Sequence, residues 1–122
     1  MAKQVLIVDD HDGVRKGLRM LFELESGFSV VGEAVDGHDA VEKALQLKPD
    51  LILLDLSMPG MNGLQAARAI RPMLPSTSLM LFTLHRDEVT DSAALAAGIN
   101  AVVSKGEGAD TLLNQAHVLL GV

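Results

Sequence analysis

Five short apolar runs, each bounded by turn residues, recur along the chain: QVLIV (4–8), FSVVGEAV (28–35), LILL (51–54), SLMLFT (78–83) and AVVS (101–104). The first, third and fourth are almost continuous in apolar residues, which is how strands buried on both faces of a parallel sheet read. Between the runs the period changes to that of a helix. Val14, Leu18, Leu21 and Phe22 share one face of a first helix that Gly27 can stop. Val41, Ala44 and Leu45 mark a second, which must end before Pro49. Asn62 can cap a third carrying Leu64, Ala67 and Ile70, terminated by Pro72. A fourth, alanine-rich, is expected over roughly 86–97 with Gly98 behind it, and a fifth over about 109–120 with Leu112, Leu113, Ala116 and Leu119. Such alternation implies right-handed crossovers and a parallel sheet with helices on both faces. The expected class is therefore α/β and doubly wound. At 122 residues, with no linker or repeat, the chain reads as one domain over 1–122.

In open sheets of this kind, ligands bind outside the carboxyl ends of the strands. Asp9 and Asp10 follow the first strand, Asp55 follows the third, Thr83 ends the fourth and Lys105 follows the fifth. Asp36 ends the second, with Gly37 starting a turn. Each has an ordinary reading when taken alone: Asp10 or Asp55 as a cap, Thr83 as a strand-end residue, Lys105 as a surface charge. The combination is different. Carboxylates crowded at one site repel by roughly 4 kcal/mol per pair at about 4 Å with an effective dielectric near 20. A cluster of this kind calls for a cation, and a hard divalent ion such as Mg²⁺ suits it, taking one or two carboxylates, waters and a phosphoryl oxygen. With Lys105 supplying a further positive charge and Thr83 a donor, the set suits a phosphoryl group attached to Asp55.

Composition removes other classes. Aromatics are 2% of the chain, with no Trp or Tyr, so bases or flavin rings have nothing to stack on. There are no cysteines, hence no disulfide framework, thiolate metal site or Cys nucleophile. The net charge is −6 and the basic residues form no stripe, so no direct nucleic-acid binding by this chain is expected. No apolar run approaches the ~20 residues of a membrane span, and MAKQVLIVDD lacks a signal-peptide pattern. The expected location is cytoplasmic. A dinucleotide site would need G-x-G-x-x-G where the chain has DDHDG, and the P-loop pattern is absent. A phosphohydrolase of the haloacid-dehalogenase type would want an acid where Ser57 stands. The four histidines, His11, His38, His85 and His117, show no ligand spacing and read as surface or turn residues.

LIVDDHDGVRKGLRMLFE, VVGEAVDGHDAVE, PDLILLDLSMPGMNG, LFTLHRDE and AAGINAVVSK together resemble the receiver domain of two-component response regulators over essentially the full length. The opening VDDH…VR.GLR and VVGEA resemble the LuxR-type transcription-factor group in particular. The resemblance implies a flavodoxin-like fold, a five-stranded parallel sheet of order 2-1-3-4-5 with five helices. It implies that Asp55 is the phosphoacceptor for a sensor histidine kinase, catalysing only its own phosphorylation and dephosphorylation. Asp10, Asp55 and the Ser57 carbonyl would hold Mg²⁺, with Asp9 acting through water. Thr83 would bond a phosphoryl oxygen, and Lys105 would contact Asp55 or its phosphoryl group. The implied output is transcription, through a helix-turn-helix domain outside this chain, with a homodimer as a further expected partnership. The alternative is a pseudo-receiver, an interaction module that is never phosphorylated. Two positions depart from the family's usual pattern: Val102 replaces an aromatic residue three before the lysine, and Gly106 replaces the proline that often follows it. The first implies a response centred on Thr83 through Asp87 and the fourth helix rather than on a swinging ring.

Overall fold

The computed structural model describes residues 2–122. Five strands, β1 (Lys3–Val8), β2 (Phe28–Ala34), β3 (Leu51–Leu54), β4 (Ser78–Thr83) and β5 (Ala101–Ser104), form one parallel sheet of order β2-β1-β3-β4-β5. Five helices connect and follow them: α1 (Asp12–Glu23), α2 (Gly37–Leu47), α3 (Gly63–Ile70), α4 (Asp91–Ala96) and α5 (Ala109–Leu120). This is the doubly wound, flavodoxin-like arrangement expected from the sequence.

The continuous apolar strands are explained by the two cores. Leu6, Val8, Ile52, Leu54, Leu79 and Leu81 face the side covered by α2, α3 and α4. Val5, Ile7, Leu51, Leu53, Met80 and Val103 face the other, where Phe22 of α1 and Leu112 and Ala116 of α5 cover them. Successive side chains of a strand point to opposite faces, so a strand covered twice needs apolar residues at every position.

The helix boundaries follow local chemistry. Asp36 accepts a hydrogen bond from the Asp39 amide and so caps α2, away from the acidic cluster. Asn62 and Gln65 form a reciprocal capping box at the start of α3. The fourth helix departs from expectation. Residues Arg86–Glu88 form a single 3-10 turn, and the α-helix begins only after Thr90, whose hydroxyl caps it through the Ala93 amide. The Thr90 cap starts a new helix inside the span expected to be one, just before its alanines, which is why the period over 86–97 is weak.

Gly63 ties this scaffold to the sheet edge. Its amide donates to the Leu56 carbonyl at 2.9 Å, closing the loop that follows β3. A methyl group there would fall against the Asp55 carbonyl oxygen and 2.9 Å from Leu81 Cδ1. Gly63→Ala is therefore expected to destabilise the protein by about 1–3 kcal/mol through overpacking, measured as a lower urea midpoint with unchanged slope.

Candidate functional site

The register of the central strands assembles the site. Val8 pairs with Leu54, so the next residues, Asp9 and Asp55, leave the sheet side by side. The Asp55 amide still donates to the Val8 carbonyl at 3.0 Å, which extends the ladder one residue and fixes the Asp55 backbone. Thr83 ends β4 and Lys105 follows β5 in a 3-10 turn, so both reach the same edge.

Asp9 is 1% exposed and Asp55 5%. Two carboxylates removed from water must be compensated, and the Lys105 ammonium lies between them. Its Nζ is 2.9 Å from Asp9 Oδ2 and 3.4 Å from Asp55 Oδ1. The lysine thus bridges both acids and holds Asp9 more closely than Asp55. The second Asp9 oxygen accepts from the His11 amide at 2.9 Å. Thr83 is fully buried, and its hydroxyl oxygen accepts from the His85 amide at 2.9 Å. Ser57 is exposed two residues beyond Asp55. With His11, Val14, Asp55, Leu84, His85 and Lys105 it lines a cavity of about 330 Å³.

Asp10 is the one acid with an oxygen left over. Its Oδ1 is buried and, among the described residues, has no hydrogen-bond partner. The His11 Nδ1 is within ion-pair distance at 3.1 Å, without the alignment of a hydrogen bond. Ligand atoms from Asp9, Asp10, His11 and Asp55 all lie within 4.8 Å of one another. An orphaned buried carboxylate oxygen among other carboxylates fits a hard divalent cation, which would satisfy that oxygen and offset the repulsion.

The structure brings together the side chains of Asp9, Asp10, Asp55 and Lys105, with Ser57 on the cavity wall and Thr83 buried at the end of β4. It also adds His11, read from sequence as a surface or turn residue. The ring is 70% exposed, yet Nδ1 also lies 3.3 Å from Asp9 Oδ1. Its position directly after the acid pair was the available signal.

Burial is the main cause that raises the Asp55 pKa above the ordinary carboxylate value. The charge of Asp9 raises it further, Lys105 partly offsets both, and Asp10 adds a smaller increase. A carboxyl whose pKa is higher folded than unfolded binds more protons in the folded state. Stability then falls as pH rises through the window between the two values, and the penalty is complete above the folded pKa. Asp55→Asn removes that penalty. In metal-free buffer at neutral pH the variant is expected to melt at a higher temperature than the wild type, with the difference vanishing on acidification below the unfolded carboxylate range.

Comparison with known proteins agrees with this geometry. The family model for the response regulator receiver domain matches residues 5–117. The chain is 38% identical over 115 residues to the transcriptional regulatory protein YhcZ of Bacillus subtilis, covering 94% of this chain and 54% of that protein. It therefore spans about half the length of the curated relatives it matches. Among solved structures, a LuxR-family two-component response regulator from Aurantimonas is 31% identical with a TM-score of 0.91, covering 99% of this chain and 86% of that one. The CheX–CheY–BeF3–Mg²⁺ complex from Borrelia burgdorferi is 26% identical with a TM-score of 0.89, covering 96% and 88% of the respective chains.

Proposed function

The chain belongs to the response regulator receiver domain family, and from that premise we propose that Asp55 is its phosphoacceptor, within one receiver unit over 1–122. As a receiver, it is a signalling phosphoacceptor rather than a classical enzyme. The observation that carries the assignment is the position of Asp55. It is buried at the end of a central strand, faces an open cavity, and has the Lys105 ammonium 3.4 Å away.

The donor is a phosphohistidine on a sensor histidine kinase. An Asp55 oxygen attacks phosphorus; the new O–P bond forms as the P–N bond breaks, and that electron pair stays on the imidazole nitrogen. Lys105 meets the developing negative charge on the phosphoryl oxygens, and the Thr83 hydroxyl donates to one of them once the group is in place. Mg²⁺ would be held by Asp10, Asp55 and the Ser57 carbonyl, with Asp9 behind them. When bound, it supplies charge neutralisation at the phosphoryl oxygens. The CheY complex named above, with BeF3 and Mg²⁺, supports that choice of ion. The output is transcription, exerted through a DNA-binding segment of the kind LuxR-type regulators carry, in a cytoplasmic protein able to self-associate. No helix among the described residues is long and apolar enough to cross a membrane.

The competing reading, an unphosphorylated pseudo-receiver, is disfavoured by the complete acid set with its lysine and threonine. Incubation with acetyl phosphate and Mg²⁺ is expected to add one phosphoryl group to the wild type, read by intact mass, and none to Asp55→Asn. Full labelling of the variant would sink the assignment.

Val102 shapes the response. It is half-buried on β5 and lines a shallow groove with Leu95 and Ile99. Its stiff, small side chain contributes at most about 1.5–3 kcal/mol on burial. An all-or-none shift from about 1:99 to 99:1 needs roughly 5.5 kcal/mol. Val102 alone cannot carry the switch. The Thr83 hydroxyl, by contrast, already anchors the His85 amide, so drawing it to a phosphoryl oxygen pulls on the turn that leads into α4. Addition of beryllofluoride is expected to change amide exchange across residues 83–97. Protection that shifts mainly around Val102 and leaves that segment unaltered would contradict this route.

A further inference from the structure

Arg15 is a charged side chain that the phosphoacceptor chemistry does not use, and it is among the most buried in the protein. It projects from α1, is 9% exposed, and is satisfied on three sides. Nε donates to Glu33 Oε1 of β2 at 3.2 Å, Nη2 pairs with Asp12, and Nη1 donates to the Asp9 backbone carbonyl at 2.7 Å. The first two are ion pairs with half-exposed or exposed acids. The third reaches the site.

Asp9 lies one residue beyond the end of β1, where the strand ladder no longer takes up its carbonyl. No other hydrogen bond to that oxygen forms among the described residues. The Asp9–Asp10 peptide therefore has its carbonyl held by Arg15, beside the His11 amide bond to the Asp9 carboxylate that spans the same turn. Without that bond the turn that carries Asp9 and Asp10 out of β1 loses its link to α1, and the spacing of the two carboxylates is less closely held. A guanidinium is suited to this task because its planar fork holds several acceptors in fixed directions. The second cation on Glu33, Arg19 at 2.7 Å, makes no contact with Asp9 and provides a built-in control.

We infer that Arg15 is a positioning residue for the divalent-cation site, acting through the Asp9 carbonyl to aim the Asp9 and Asp10 carboxylates. The inference rests on the metal assignment above and adds to it. Its sign separates it from simple electrostatics. Arg15 is positive, so through its field alone it opposes a bound cation, and removing it would tighten Mg²⁺. Through positioning, removing it weakens Mg²⁺. Outer partners that orient metal ligands are typically worth about 10–100-fold in affinity.

The experiment is a Mg²⁺ titration of wild type, Arg15→Met, Arg15→Lys and Arg19→Met by calorimetry, with thermal unfolding of each protein to confirm folding. Arg15→Met is expected to bind Mg²⁺ about tenfold more weakly or worse. Arg15→Lys keeps the charge but cannot serve Glu33 and the Asp9 carbonyl with one fork, so it is expected to lose affinity too. It is the variant that decides should the methionine protein fail to fold. Arg19→Met is expected to match wild type in affinity while losing stability. The Asp10 amide resonance should move in both Arg15 variants and stay in place in Arg19→Met, a readout independent of metal. Unchanged or tighter Mg²⁺ binding by folded Arg15 variants, against a wild type that binds, overturns this inference and leaves the metal assignment standing. A wild type that does not bind Mg²⁺ overturns both.

Discussion

The pairing of Val8 with Leu54 is the constraint on which the rest of the structure depends. It places the ends of the two central strands level, and the next residue of each is an aspartate. Both strands are locked by burial on two faces, so neither can slip by a residue without exchanging the occupants of its two cores. The distance between Asp9 and Asp55 is thus held by the hydrophobic cores, not by any contact between the acids. That matters because the acids repel. A site made of like charges can only be kept by elements that have another reason to stay where they are.

The compensation at the site is incomplete. Lys105 serves two buried carboxylates with one ammonium, and Asp10 keeps a buried oxygen without a hydrogen-bond partner among the described residues. Burial and the neighbouring acid hold the Asp55 pKa up despite the lysine. The same features that cost stability suit the site to a cation and, on the proposed role of Asp55, to a phosphoryl group. Residual repulsion in the resting fold and complementarity to that proposed modified state would be two descriptions of one arrangement.

The sequence made the fold and most of this site legible for a physical reason. Strands buried on both faces produce short apolar runs between turn residues, and LILL and SLMLFT bound β3 and β4, with the partly buried AVVS bounding β5, as the structure has them. Strand ends then locate Asp9, Asp55, Thr83 and Lys105 without further information. What could not be read depends on side-chain direction. The approach of His11 to the acids follows from how its turn leaves β1, and the three-way coordination of Arg15 needs Glu33, eighteen positions away on an edge strand. Which acid Lys105 prefers is a matter of fractions of an ångström. The break between Glu88 and Asp91 was hidden because the alanines that mark the segment as helical all lie beyond it, while the Thr90 cap acts through a single hydroxyl.

These missed details divide the site edge into two unlike halves. On one side, Arg15 and Arg19 tie α1 to β2 through Glu33, and Arg15 ties it to the end of β1 through the Asp9 carbonyl, with Phe22 buried on the same helix. On the other, Thr83 leads through a 3-10 turn into a six-residue helix, where Leu84 and Leu95 are exposed and Val89, Ala94 and Ala97 supply the buried apolar surface. An alanine contributes little area, and short segments with few large buried side chains open at low free energy. Asp55 stands between the halves. On the proposed phosphorylation, a change in charge and hydrogen bonding at its carboxylate would meet a pinned half and a lightly held one, and the second would yield at the smaller cost. The direction of such a response would need no dedicated wire. It would follow from an arginine-pinned wall on one side of the acid and a lightly held turn on the other.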